Sequence, residues 1–210
     1  MTSFELENVK YIYDISSPHF DVTRTNVWKD VEIFVNSFEK NSYVLDAGCG
    51  NGKNMYRKDC MFVGCDFCKN FLEMIISKNH QGLQINVKCL PFRDSIFNYS
   101  LCIAVIHHIK EKEDRIKAIK ELIRVTKKKG KILISVWEAH GKYNKGNNFV
   151  KWTLQKKYNK KQTKDTILNR YYYMYDGKEL YNDILKNIKN VIIESYKSNY
   201  NNRFIVLTKL

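Results

Sequence analysis

The stretch YVLDAGCGNGK, residues 43–53, joins a short apolar run to glycines at 48, 50 and 52, and no other segment restricts the fold more. A buried strand ending in three glycines within five positions leaves backbone that can approach a ligand and take positive φ angles. Two phosphate-binding loops do not fit. A P-loop requires GxxxxGK[ST], whereas Lys53 is followed by Asn54 and the glycine spacing differs. A dinucleotide loop requires its third glycine three positions after the second, and that position, 53, is lysine.

Two acids narrow the choice of ligand. Asp46 precedes the glycines, and Asp66 closes the next apolar run, CMFVGCD. At the carboxyl end of a second strand a carboxylate can accept both hydroxyls of a ribose. Asp46 would repel a pyrophosphate but suits an ammonium. A ribose nucleoside with a cationic amino-acid tail and no phosphate is S-adenosylmethionine. The plainer alternative is a tight strand-to-helix turn with no ligand; Asp66, the strand order and LPF at 90–92 argue against it.

Apolar runs and helical patterns alternate around this loop. Residues 5–16 and 26–39 read as helices, the second with Val27, Val31, Phe34, Val35 and Phe38 at helical spacing. Strands are expected at YVLDAG, 60–66, 83–88 (LQINVK), 99–105 and KILISVW, with helices at NFLEMIISK and 113–126. Continuous apolar strands belong to a mostly parallel sheet covered by helices on both faces, an α/β fold. NVIIESYK and NRFIVLTKL flank the turn-rich SNYNN and read as a closing antiparallel C-terminal hairpin. A chain of 210 residues suits one domain. Its expected parts are an N-terminal helical lid (1–40), a cofactor-binding core (41–137), a basic and aromatic insertion (141–176) and a closing helix with the hairpin (177–210). The Lys/Asn-rich stretch from 141 to about 165 reads as linker.

Composition excludes some classes. No apolar stretch approaches the length of a membrane span, so no membrane partner is expected. MTSFELENVKYIYD has early acids and no apolar core of a secretory signal, so a soluble cytoplasmic, or nuclear, location is expected. The six cysteines lie mostly within or beside strands, which suits buried free thiols in a reducing compartment. Cys65 and Cys68 form a CxxC without a second pair or a nearby His pair, so no metal site is expected. The formal net charge is +14, and nine basic residues with one acid lie between Lys142 and Arg170. Such a stripe attracts polyanions.

Five blocks carry a resemblance: YDISSPHFDVTR (13–24), DAGCGNGK (46–53), IAVIHHI (103–109), FVKWTL (149–154) and RYYYMYDGKEL (170–180). With them the chain, from about residue 9 onward, resembles the tRNA wobble-uridine carboxymethyl methyltransferases among the class I methyltransferases. The resemblance implies a Rossmann-like fold and S-adenosylmethionine as cofactor. It also implies methyl esterification of 5-carboxymethyluridine at the tRNA anticodon wobble position, giving 5-methoxycarbonylmethyluridine. The implied partners are tRNA and a small zinc-binding activator subunit. Cofactor contacts are then expected at Asp46, Gly48, Cys49, Gly50, Asn51, Gly52, Asp66, Phe67, Asn86, Val87 and Ala104. Asn86 stands where the family commonly has an acid near the adenine, and the family's lysine-rich insertion before the RYY block is short here.

Methyl transfer to a carboxylate needs no strong base, because a carboxylate is already ionised at neutral pH. The protein must align the nucleophile and hold it with donors that do not neutralise it. Candidates are Arg24 and His19 on the N-terminal segment, and His107 and His108 after the fourth strand, with His107 expected nearer the reacting carboxylate. Arg24 and His107 are the expected catalytic pair. Each has another reading: the histidines as structural donors, and Arg24 as an ion-pair partner of Asp21 or Glu32. In an extended RYYYMY, Tyr171, Tyr173 and Tyr175 share one face, opposite Tyr172 and Met174. Stacking on an unpaired base is expected from Tyr171 or Tyr172, with Trp137 as a further wall. Lys151, Lys156, Lys157, Lys160 and Lys161 would bind phosphates. The third strand should be an open sheet edge to which the activator adds a strand. Competing functions are a class I methyltransferase for a small molecule, such as a quinone precursor or lipid head group, and a non-catalytic tRNA-binding subunit.

Overall fold

The structure is a computed structural model and describes residues 2–158 and 164–210. Five parallel strands form the centre: β1 (Tyr43–Ala47), β2 (Met61–Asp66), β3 (Gln81–Gln84), β4 (Phe97–Ile103) and β5 (Thr126–Trp137). After the hairpin β6 (Gly146–Leu154) and β7 (Thr166–Met174), strands β8 (Val191–Asn199) and β9 (Asn202–Lys209) complete the main sheet. Its order is β3-β2-β1-β4-β5-β9-β8, with β9 antiparallel to β5 and β8.

Successive side chains of a strand point to opposite faces, and both faces here are covered. Leu45 and Ala47 enter a core with Ile119 and Leu122 of α5 (Lys112–Val125) and Ile184 of α6 (Glu179–Asn187). Val44 enters the other, with Val31, Phe34 and Val35 of α3 (Lys29–Asn36) and Leu72 and Ile75 of α4 (Lys69–Ser77). This is why the strands read as continuous apolar runs.

Four local expectations need correction. The first helix does not stop at residue 16: α1 (Ser3–Glu5) passes through a π-helical turn, Leu6–Lys10, into α2 (Tyr11–Thr23). Pro18 cannot donate to the carbonyl of Asp14. That carbonyl instead accepts from Asn70 Nδ2 at 2.8 Å and Ser17 Oγ at 3.1 Å, so the helix continues through the proline. The second helix is shorter than 26–39, because Trp28 and Ser37 cap it. The third strand covers Gln81–Gln84, not 83–88, since its partner β2 ends at Asp66, opposite Gln84. Ile85 N–H still reaches the Asp66 carbonyl, and Asn86 Oδ1 then accepts from Lys88 N–H in a turn. Residues 141–165 are not simply linker: β6 and β7 pair antiparallel, Gly146 opposite Met174 through Leu154 opposite Thr166. Residues 159–163, including Lys160 and Lys161, lie outside the described residues.

Candidate active site

A cleft opens at the carboxyl ends of β1, β2 and β4, the expected place for ligands in an open parallel sheet. Its inner wall is the glycine loop. Gly48 has φ 80°, and a Cβ there would lie 2.2 Å from Val105 Cγ2, so only glycine fits. Gly48 and Cys49 N–H both donate to the Cys65 carbonyl, and Gly50 N–H donates to Asp66 Oδ2 at 2.9 Å. The other Asp66 oxygen accepts from Cys68 N–H at 2.9 Å. The carboxylate at the end of β2 is therefore held in place while it borders the cleft. Ala104 holds φ 58°, a conformation unfavourable to a residue with a Cβ, and its N–H is fixed by Ser135.

The N-terminal helix forms the roof. Val9 and Lys10 of the π-helical turn, Tyr13, Phe20 and Arg24 all line the cleft. Asn51 Nδ2 donates to the Arg24 carbonyl and Lys53 Nζ to that of Asn26, which ties roof to loop. Lys88, buried beneath, bonds both Glu5 of α1 and Asp114 of α5.

The outer end is aromatic and cationic. Trp137 and Tyr172 stack with centroids 4.4 Å apart and planes 11° apart. His107 is fully buried, and its Nδ1 accepts from Trp137 N–H at 3.0 Å. The ring proton therefore belongs on Nε2, which is buried without a partner among the described residues, on a side chain that lines the cleft. Burial foremost, then the nearby His108 and Arg170, push the His107 pKa well below its ordinary value. It is a neutral donor. His108 Nδ1 donates to the Tyr171 carbonyl and its Nε2 accepts from Tyr13 O–H at 3.0 Å; burial lowers its pKa to about 3. His108 thus fastens roof to hairpin.

Of the expected positions, Gly48, Cys49, Gly50, Asn51, Asp66, Phe67, Asn86, Val87, Ala104, Arg24, His107, Trp137 and Tyr172 line this one cleft. Arg24 pairs with neither Asp21, which binds Lys78, nor Glu32, which binds Lys29. Six others stand elsewhere. Gly52 turns away against Ile75, where a Cβ would lie 2.7 Å from Cγ2. Asp46 lies inside the sheet, opposite Gly64 and Leu101, behind the loop instead of facing the cleft. His19 is on the far side of the helix, wedged against Trp152 and Tyr158. Tyr171 is no stacking wall: its ring packs edge-on to Phe4 and its hydroxyl donates to Asn147. Tyr173 and Tyr175, on the same strand face, close over Arg115. Lys156 and Lys157 are exposed beyond the cleft. Sequence reasoning misses Tyr13, Phe20, Lys53 and Arg170 as lining residues. All but Lys53 sit in or beside the PHF and RYYY blocks, which were the available signal.

The comparisons agree with this geometry. A family described as "Methyltransferase domain" matches residues 45–134. An Arabidopsis thaliana protein named tRNA (carboxymethyluridine(34)-5-O)-methyltransferase is 38% identical over 150 residues, 71% of this chain and 37% of that protein. An Encephalitozoon cuniculi protein, named provisionally as a methyltransferase, is 40% identical over 143 residues, 67% of either chain. This chain belongs to the class I, S-adenosylmethionine-dependent methyltransferases. The chain spans only 24% to 37% of the length of several longer relatives it matches. Among solved structures, a methyltransferase from Haloferax volcanii, in complex with the Trm112 methyltransferase activator, shares the fold. Its TM-score is 0.70 at 12% identity, covering 96% of this chain and 97% of that one.

The cleft fits the family's cofactor. Glycine at 48 lets the loop lie directly against Val105 at the cleft floor, and Asp66 presents an anchored carboxylate for a ribose. Asn86 and Val87, in the turn after β3, border the same end.

Proposed function

We propose that this chain methyl-esterifies 5-carboxymethyluridine in the anticodon of tRNA, with S-adenosylmethionine as the methyl donor. The observation that carries the reading is the neutral Nε2–H of His107, unpartnered among the described residues, in a cleft that Arg24, Trp137 and Tyr172 also line. When bound, the cofactor supplies a methyl group on a sulfonium, which a carboxylate can accept without any proton changing hands. Gly48, Gly50, Asp66, Phe67, Asn86, Val87 and Ala104 would hold it.

The chain's own part is to hold a charged nucleophile in line and out of water. His107 donates a hydrogen bond to the carboxylate, and its depressed pKa keeps it from protonating the nucleophile. Arg24 adds positive charge from the roof, and its guanidinium lies 6.0 Å from the Trp152 ring. Half-buried Trp137, backed by the stacked Tyr172 ring, offers planar surface to the flipped-out base. Exposed Lys151, Lys156, Lys157 and Lys164 provide sequence-independent phosphate contacts.

The names of the curated relatives support tRNA as one partner, and the activator in the Haloferax complex supports an activator subunit as another. The open edge of β3 is the surface proposed for the activator. The deciding experiment co-expresses the chain with the activator and supplies tRNA bearing 5-carboxymethyluridine or unmodified uridine. Methyl ester should form only on the acid-bearing tRNA. His107→Ala should lower kcat about a hundredfold while leaving S-adenosylmethionine binding by calorimetry unchanged. Absence of ester in the wild-type complex, or methylation of unmodified tRNA, would remove this reading.

A further inference from the structure

Arg170 is an anomaly in the packing. It is 6% exposed, yet its side chain forms no ion pair or hydrogen bond among the described residues, and its Nε–H is fully buried without an acceptor. A buried guanidinium is ordinarily matched by a carboxylate or several carbonyls, because its desolvation is otherwise uncompensated. Here the ring of Trp152, 4.4 Å from the guanidinium carbon, and that of Tyr172, at 5.2 Å, are its neighbours. Arg24 lies over the same Trp152 ring. Two guanidinium groups thus lie against one indole, and neither pairs with an acid among the described residues. Like charges gathered without a counterion in a partly desolvated wall define a place for an anion.

We infer that Arg170 is the specificity-determining residue of this cleft: its guanidinium receives the carboxylate of the substrate base, with the His107 Nε2–H as second donor. The inference rests on the carboxymethyluridine reading and sharpens it. The sequence places Arg170 at the head of RYYYMY, and pairing opposite Val150 turns it to the same strand face as Tyr172, toward the cleft. The base, stacked on the Trp137 ring that Tyr172 backs, and its acid, on Arg170, would then be held by neighbouring groups. A phosphodiester is the rival anion, but phosphates are commonly met by exposed cations, and Arg170 is buried beside His107. The cofactor's own carboxylate is the other rival.

The experiment separates these sources. Binding of the nucleosides 5-carboxymethyluridine and 5-carbamoylmethyluridine, the isosteric amide, is followed by quenching of tryptophan fluorescence. The protein is the activator complex saturated with S-adenosylhomocysteine. Wild type should prefer the acid by at least about tenfold. Arg170→Met should lose the preference, and Arg170→Lys should keep part of it. Both variants should bind S-adenosylmethionine like wild type by calorimetry, which also verifies that they fold. An undiminished preference in Arg170→Met overturns the inference, as does no preference in wild type. A parallel loss of cofactor affinity overturns it too, by giving Arg170 to the cofactor. If wild type prefers the acid through Arg170 but forms no ester on tRNA, the reaction proposed above falls and the anion site stands.

Discussion

Both carboxylate oxygens of Asp46 are buried without a hydrogen-bond partner among the described residues, with Asn54 beside them outside bonding geometry. Burial, the largest cause, lifts the Asp46 pKa from 3.8 to about 7. The native state therefore binds a proton that the unfolded chain has released, over roughly pH 4 to 7. Native stability must fall as pH rises through that window and level off above it, with a full cost of at most about 4 kcal/mol. Asp46→Asn removes the titration. The variant should melt higher than wild type above pH 7 and at nearly the same temperature near pH 4, as read by melting curves in the absence of cofactor. An equal melting difference at both pH values would contradict this account. Asp46 and Asp66 are both legible in the sequence as acids at the ends of apolar runs. Their division of labour is not: in the sheet Asp46 turns to the buried face it shares with Val44, while Asp66 borders the cleft. Arg170 is hidden for a related reason. Alternation in RYYYMY defines two faces, but which one meets the cleft depends on how the hairpin docks.

Among the elements, β3 is the most exposed to outside influence. It is four residues long, lies at one end of the sheet, and leaves its outer backbone groups unpaired within the described residues. Leu83 at 42% exposure, with Met61 and Ile76 both at 55%, puts apolar surface beside that edge. An open apolar edge invites strand addition or aggregation. Leu83→Asp combined with Met61→Lys should abolish co-elution of the activator on gel filtration. It should also improve solubility of the isolated chain and leave the folded core intact by circular dichroism. Retained co-elution would move the activator to another surface. The central strands and the closing hairpin are legible because burial on both faces makes their apolar runs continuous. β3 is displaced in the sequence reading because QINVK looks strand-like, whereas its length is set by where β2 stops. The β6–β7 pair is missed because its outer face mixes Asn147, Phe149, Lys151 and Thr153, with only alternate residues such as Val150, Trp152 and Leu154 turned inward.

At the scale of the molecule, charge and shape act together. The chain carries 36 basic and 22 acidic residues, and the β6–β7 hairpin presents exposed Lys151 and Phe149 on the side away from its buried face, with Lys156, Lys157 and Lys164 at its tip. Several acids elsewhere are already committed: Asp30 pairs with Lys197, Glu121 with Arg124, and Asp183 with Lys112. Lys151, Lys156, Lys157 and Lys164 form no ion pair among the described residues and are exposed to a polyanion. Binding should be driven largely by counterion release, so the logarithm of tRNA affinity should fall linearly with the logarithm of salt concentration. Replacing Lys156 and Lys157 together by alanine should shallow that slope by about 1 to 2 and weaken all tRNAs alike, whatever base stands at the wobble position. S-adenosylmethionine affinity, measured by calorimetry on the same variant, should not change, since neither lysine lines the cleft. A slope equal to wild type would place the phosphate-binding surface elsewhere. A loss confined to acid-bearing tRNA would mean that these lysines touch the base and not the backbone.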